Sequence, residues 1–179
     1  MIDHISYRYT DNELDQLLDS LTVLVDTREK NPDHLLDYFD QQGISYIDRK
    51  LEYGDYSFML PANKDLGIVK DVYFTDSIAI ERKADLNELS GNLAQKRQQF
   101  ENELLRADQS KFILLVEDPQ GYENIVNHNY KTKYKPKSYL GSLLAFEHRY
   151  NITIQFLAPA YTGQFIRYEF YYYLREYLK

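Results

Sequence analysis

Three runs of strand character in this 179-residue chain end in a carboxylate. Asp26 closes "VLVD", Asp55 follows Gly54 in "LEYGDY", and Glu81 closes "IAIE", with Arg82 and Lys83 next. Side chains alternate across a strand, so Glu81 and Lys83 fall on one face and Arg82 on the other. An acid and an amine are thereby delivered together. The strand ends of an open α/β sheet gather distant residues into one crevice, where such sheets bind ligands. Carboxylates collected there repel one another unless a cation joins them. Magnesium suits such a place, because it takes oxygen ligands, binds through one or two carboxylates, and keeps its other positions for water and phosphate oxygens. The Lys83 ammonium would orient an attacking water or stabilise charge on a phosphorane-like transition state. The chemistry of the set is phosphodiester hydrolysis, and its alternative is a solvated ion pair at a strand end.

The elements that must position these residues follow from local pattern. "TDNE" at Thr10 to Glu13 fits a capping box, and Leu14, Leu17, Leu18 and Leu21 follow at helical spacing. Thr22 to Asp26 reads as a central strand. Asn31 as N-cap, Pro32 at the first helical position, an apolar face of Leu35, Leu36 and Phe39, and Gly43 as terminator predict a short helix. Ile44 to Tyr53, Asp55 to Leu60, Ile68 to Phe74 and Ser77 to Lys83 read as strands. The breaker-rich "PANKDLG" between the second and third predicts an antiparallel meander. A long helix is expected from about Asp85 to Ala107, with Arg97 filling a gap in its apolar stripe. A buried strand at Lys111 to Asp118 follows. A helix in "KSYLGSLLAFEHRY" comes after it, with Ser138 beside Pro136 placed to cap it, then a strand in "NITIQFL" and a terminal helix in "TGQFIRYEFYYYLREYLK". Strands interleaved with helices give an α/β architecture, a mixed sheet covered on both faces by helices.

A hydrophobic content of 44% suits one domain with a substantial core. The expected division is a single domain over 1–179, with a helical extension at 1–21, a motif-bearing core at 22–117, and a basic loop and C-terminal helices at 118–179. The absence of cysteine excludes disulfides, thiol catalysis and thiolate zinc sites. His4, His34, His128 and His148 show no metal-ligand spacing. No window approaches the roughly 18 apolar residues of a membrane span, and the N-terminus lacks the layout of a secretion signal. A cytoplasmic protein without membrane contact is expected.

The net charge of −7 argues against a nonspecific polyanion binder, but the charge is uneven. Asn129 to Tyr139 holds Lys131, Lys133, Lys135 and Lys137 and no acid. Such a loop could neutralise phosphates while Tyr130, Tyr134 and Tyr139 stack on exposed bases, or it could be a solvated loop. Arg97, on an otherwise apolar stripe, must reach a carboxylate, a phosphate or the protein edge. Pairing with Glu101 is one reading and a phosphate contact near the cleft is the other. Gly54 either lets Asp55 project into the cleft or permits tight strand packing. The terminal helix carries more aromatic surface than one face can bury, so a remaining patch is a candidate for homodimer formation or a protein partner.

"VDTREK", "LEYGDY" and "IERKADLNELSGNLAQKRQQFENEL" together resemble the nuclease domain of the XPF-type structure-specific endonucleases, within the restriction-endonuclease-like PD-(D/E)xK superfamily. The resemblance spans roughly Thr22 to Glu117, and the chain further resembles the short, stand-alone members of this group found in phages and bacterial mobile elements. It implies a restriction-endonuclease-like mixed central sheet flanked by helices. It also implies Asp26, Asp55 and Glu81 as ligands of Mg2+ or Mn2+, and Lys83 as the catalytic lysine. Arg28, Glu29 and Arg82 would support the site or touch the phosphate backbone, and Arg97 would sit near the cleft. The family's Asp after Glu-Arg-Lys falls on Asn87 here, which would retune or weaken the site. Glycines are isolated, and a helix-hairpin-helix module is not expected.

The resemblance implies a metal-dependent DNA endonuclease acting on branched or partly single-stranded DNA in recombination, repair or replication. The competing expectation is a catalytically inactive DNA-binding or scaffolding module of the same fold.

Overall fold

A computed structural model describes residues 9–30 and 32–179. The first helix, α1 (Asp11–Ser20), opens on the capping box: the Glu13 carboxylate accepts from the Thr10 N–H at 2.8 Å, and the Thr10 hydroxyl accepts from the Glu13 N–H at 3.4 Å. The second, α2 (Asp33–Gln42), stops at Gly43, whose φ of 64° belongs to the left-handed region. Pro32 occupies the cap of α2 and not its first helical position, and Asn31, the expected cap, lies outside the described residues.

The sheet has seven strands: β1 (Thr22–Val25), β2 (Tyr46–Asp48), β3 (Tyr56–Leu60), β4 (Val72–Tyr73), β5 (Ile78–Lys83), β6 (Lys111–Val116) and β7 (Thr153–Phe156). Their order is β2-β1-β3-β5-β6-β7, with β4 paired to β3. The expected meander is replaced by a mixed arrangement. β2 lies parallel to β1, β3 runs antiparallel to β1 and β5, and β6 and β7 continue parallel to β5. A parallel neighbour needs a crossover, and α2 supplies it between β1 and β2. The strand expected over Ile44 to Tyr53 is therefore short, because after Asp48 the chain leaves the ladder to wrap around Asp26.

Each face of the sheet has its own core. Val23, Val25, Tyr56, Phe58, Ile78, Ile80, Ile113 and Leu115 pack beneath α1, α2 and the terminal helix α7 (Thr162–Leu178). Ala79, Phe112, Leu114 and Val116 face the opposite way. They meet α3 (Leu86–Leu93), α4 (Arg97–Arg106), α5 (Gly121–Val126) and α6 (Pro136–Tyr150). Among the described residues no helix is long and apolar enough to cross a membrane.

Two helical expectations change. The long helix breaks between α3 and α4, around Ala94, whose φ and ψ are −114° and −86°. A continuous helix over that span would reach about 34 Å, while a six-residue strand spans about 20 Å. The break folds Phe100 and Leu104 back onto the sheet, where both are buried. Ser138 does not cap α6. That helix starts at Pro136, a residue without an N–H to satisfy, after an extended Lys135.

Candidate active site

Backbone hydrogen bonds bring the three acids to one edge of the sheet. The Asp26 N–H donates to the Asp55 carbonyl at 2.7 Å, and the Asp55 N–H donates to the Ile80 carbonyl at 2.9 Å, next to Glu81. The alternation along β5 holds as expected: Glu81 and Lys83 share the α3/α4 side with Ala79, and Arg82 shares the α2/α7 side with Ile78 and Ile80. All three charged side chains are buried.

On the α3/α4 side, the Lys83 ammonium pairs with the Glu81 carboxylate, and Glu88 of α3 lies 4.0 Å away. Burial alone would lower the lysine, but Glu81 and Asp55 outweigh it and hold the ammonium form. Burial, and then the nearby Glu81 and Glu29, push the Asp55 carboxyl well above the ordinary range, against Lys83 and the Arg82 N–H that donates to it at 2.8 Å. Gly54 serves both of its expected purposes. Its φ is 70°, and a Cβ there would stand 3.0 Å from the Cβ of Ala79. Its N–H donates to Glu103 of α4 at 3.0 Å. Burial, and then Glu81, raise the Glu103 carboxyl. Arg28, Glu29, Lys30, Asp55, Arg82, Lys83, Ala84 and Glu88 line a cleft of about 280 Å³.

On the opposite side Arg82 is held by three partners. Its guanidinium donates to Glu29 at 2.7 Å, to Glu117 at 2.8 Å and to the Lys30 carbonyl at 2.7 Å. It braces the site. The second oxygen of Glu117 meets His34 Nε2 at 2.7 Å.

Asp26, expected as a metal ligand, has both oxygens engaged within the protein. One oxygen accepts from the Arg28 N–H at 2.7 Å and Nε at 2.8 Å, the other from Arg28 Nη2 at 2.9 Å and the Leu51 N–H at 2.7 Å. A carboxylate offers about four lone-pair sites, and all four are taken. Burial raises this carboxyl, but the bonds from Arg28 and Leu51 outweigh it and hold it below the ordinary range. The Arg28 side chain is 60% exposed, so Asp26 orients a guanidinium that faces the cleft.

The remaining candidates fall outside this cleft. Arg97 opens α4, pairs with Glu101 at 3.1 Å and stacks over Phe146 at 4.8 Å, the first of its two readings. Lys131, Lys133, Lys135 and Lys137 are exposed. The tyrosines of this segment pack on one another: Tyr134 stacks on Tyr139 at 5.4 Å, and Tyr130 packs edge-on against Tyr139 at 5.1 Å. Asn87 does not reach the acids. Its amide donates to Asp85 at 3.0 Å and accepts from the Lys131 N–H at 2.7 Å. On α7, Tyr168 and Tyr172 stay half exposed beside a groove of about 620 Å³.

Glu103 and Glu117 are site residues that the sequence reading missed. Glu117 ends "LLVE" in the same way that Glu81 ends "IAIE", so the strand-end rule would have found it. Glu103 falls three residues after Phe100 and four before Ala107 on the buried stripe of α4, which a helical wheel would have shown.

The acids fit a hard divalent cation. Asp55 and Glu81 offer oxygen donors, and Asp55 is crowded by like charges that a cation would relieve. Among the described residues no group of three potential ligands is close enough to form a metal site by itself, and Mg2+ needs only one or two carboxylates with water completing the shell.

A mixed sheet covered on both faces, with these acids and one lysine at its edge, is a restriction-endonuclease-like fold of the XPF nuclease type. The ERCC4 domain matches residues 25–168, and the chain belongs to that family. Among solved structures it is similar to XPF from Aeropyrum pernix, at 22% identity and a TM-score of 0.61, over 86% of this chain and 65% of that one. It is likewise similar to XPF from Aeropyrum pernix in complex with DNA, at 20% identity and a TM-score of 0.60, over 87% of this chain and 66% of that one. The chain thus spans about two thirds of the length of these structures. No curated protein sequence matches it.

Proposed function

We propose that this chain is a divalent-metal-dependent DNA endonuclease that hydrolyses phosphodiester bonds, with branched or partly single-stranded DNA as substrate. The observation that carries the reading is the buried Glu81–Lys83 pair beside Asp55 at the edge of the sheet. Asp55 and Glu81 would hold Mg2+ or Mn2+, which when bound would supply charge neutralisation and an acidified water. Lys83, kept as an ammonium beside Glu81, would face the charge that develops on phosphorus-bound oxygen. Arg28, aimed by Asp26, would meet the phosphate through its remaining nitrogen, Nη1. Glu103 fixes the Gly54 turn, so that Asp55 is presented at a constant angle.

The test is cleavage of end-labelled single-stranded, duplex, flap and fork DNA in Mg2+, Mn2+ or EDTA, with Glu81→Gln and Lys83→Met as controls and folding checked by circular dichroism. Metal-dependent cutting should fall at least about a hundredfold in either variant. Undiminished cutting by folded Glu81→Gln defeats the reading. Binding of DNA with no cleavage by the wild type makes the chain a binding module of the same fold.

A further inference from the structure

The lysine-bearing segment after α5 is held by the helix that follows the catalytic strand. Three hydrogen bonds join it to the first turns of α3. The Lys131 N–H donates to Asn87 at 2.7 Å, the Ser90 hydroxyl donates to Thr132 at 2.9 Å, and the Tyr139 hydroxyl donates to the Leu86 carbonyl at 2.7 Å. Between these anchors, exposure alternates: Lys131, Lys133, Lys135 and Lys137 are exposed, while Thr132, Tyr134 and Pro136 turn partly inward. The Tyr134 hydroxyl also meets Ser142 of α6 at 2.5 Å.

We propose that these four lysines form a prebuilt ridge for the sugar-phosphate backbone of DNA, and that Asn87 is the positioning residue that fixes the ridge beside the cleft. Asn87 must accept from the Lys131 N–H and donate to the Asp85 carboxylate, and an amide does both. An aspartate there would set a second carboxylate oxygen about 3 Å from Asp85 and lose the donor. The departure from the family motif at this position therefore serves the ridge. With Tyr130 and Tyr134 half-buried and packed on Tyr139, the ridge presents mainly charge, so binding is insensitive to sequence and strongly dependent on salt. The inference rests on the nuclease reading only for the choice of DNA as the polyanion.

The measurement is fluorescence anisotropy of labelled DNA in EDTA, titrated from about 50 to 200 mM salt. The wild type is compared with the quadruple variant Lys131→Ser, Lys133→Ser, Lys135→Ser and Lys137→Ser, and with Asn87→Asp. Each engaged lysine contributes about 0.7 to 0.9 to the slope of log affinity against log salt. A quadruple variant whose slope falls by about 1.4 or more supports the ridge, and a smaller fall overturns it. Asn87→Asp should bind several-fold more weakly with a reduced slope; unchanged or tighter binding overturns the positioning role. The four lysines are surface side chains, so the quadruple variant decides the matter even if Asn87→Asp folds poorly. Metal-dependent cleavage by the wild type together with unaltered binding by the quadruple variant defeats the ridge alone. Ridge-dependent binding by a protein that cuts nothing defeats the nuclease reading alone.

Discussion

Asp26 and Asp55 have the same side-chain chemistry and opposite electrostatics. Asp26 has four donors around it and is held below the ordinary carboxylate range, whereas Asp55 is buried among other acids and is pushed above it. A carboxyl with a depressed folded-state pKa contributes stability that is complete above its unfolded value, about 3.9, and is lost as pH falls through the folded value. Asp26→Asn should therefore cost on the order of 2 kcal/mol at pH 7, with the gap to wild type closing below about pH 4, as measured by urea unfolding across pH. A gap that persists at low pH refutes the assignment. At this scale the sequence was informative about which residues meet and less so about their roles. Strand parity alone separated Arg82 from Glu81 and Lys83. It could not reveal that Arg28 and the Leu51 N–H saturate Asp26, because the turn that brings Leu51 back is a tertiary event 25 residues away.

At the scale of elements, the turn at Gly54 couples three parts of the molecule. Its positive φ, its approach to Ala79 and its bond to Glu103 together set the entry of β3 and the angle of Asp55. Gly54→Ala should cost about 1–3 kcal/mol in stability and reduce cleavage along with it. A thermal melt and the flap-DNA assay check this, and a variant matching wild type in both would refute the coupling. Local signals placed most of the elements, because capping boxes and terminator glycines act within a few residues. Sheet order and the break after α3 were not legible, since they depend on which surfaces remain to be covered once the strands have paired.

At the scale of the whole molecule, acids converge on one sheet edge while lysines collect on the neighbouring loop, in a chain whose net charge is −7. A divalent cation that binds the folded site and not the unfolded chain stabilises by mass action, about 2.7 kcal/mol at a hundredfold excess over Kd. Millimolar Mg2+ should raise the melting temperature of the wild type and leave that of Glu81→Gln unmoved; an equal shift in both would place the cation elsewhere. The α/β class was readable from the interleaving of strands and helices, whereas the two separate cores needed the fold. The three bonds of Arg82 have a mechanical consequence. The peptide between Glu81 and Lys83 is riveted on its far side to Glu29, Glu117 and Lys30, so the backbone that carries both side chains cannot shift outward without breaking three bonds. Accommodation of an incoming strand would then be borne by the exposed lysine side chains of the neighbouring loop, around an anvil that does not yield.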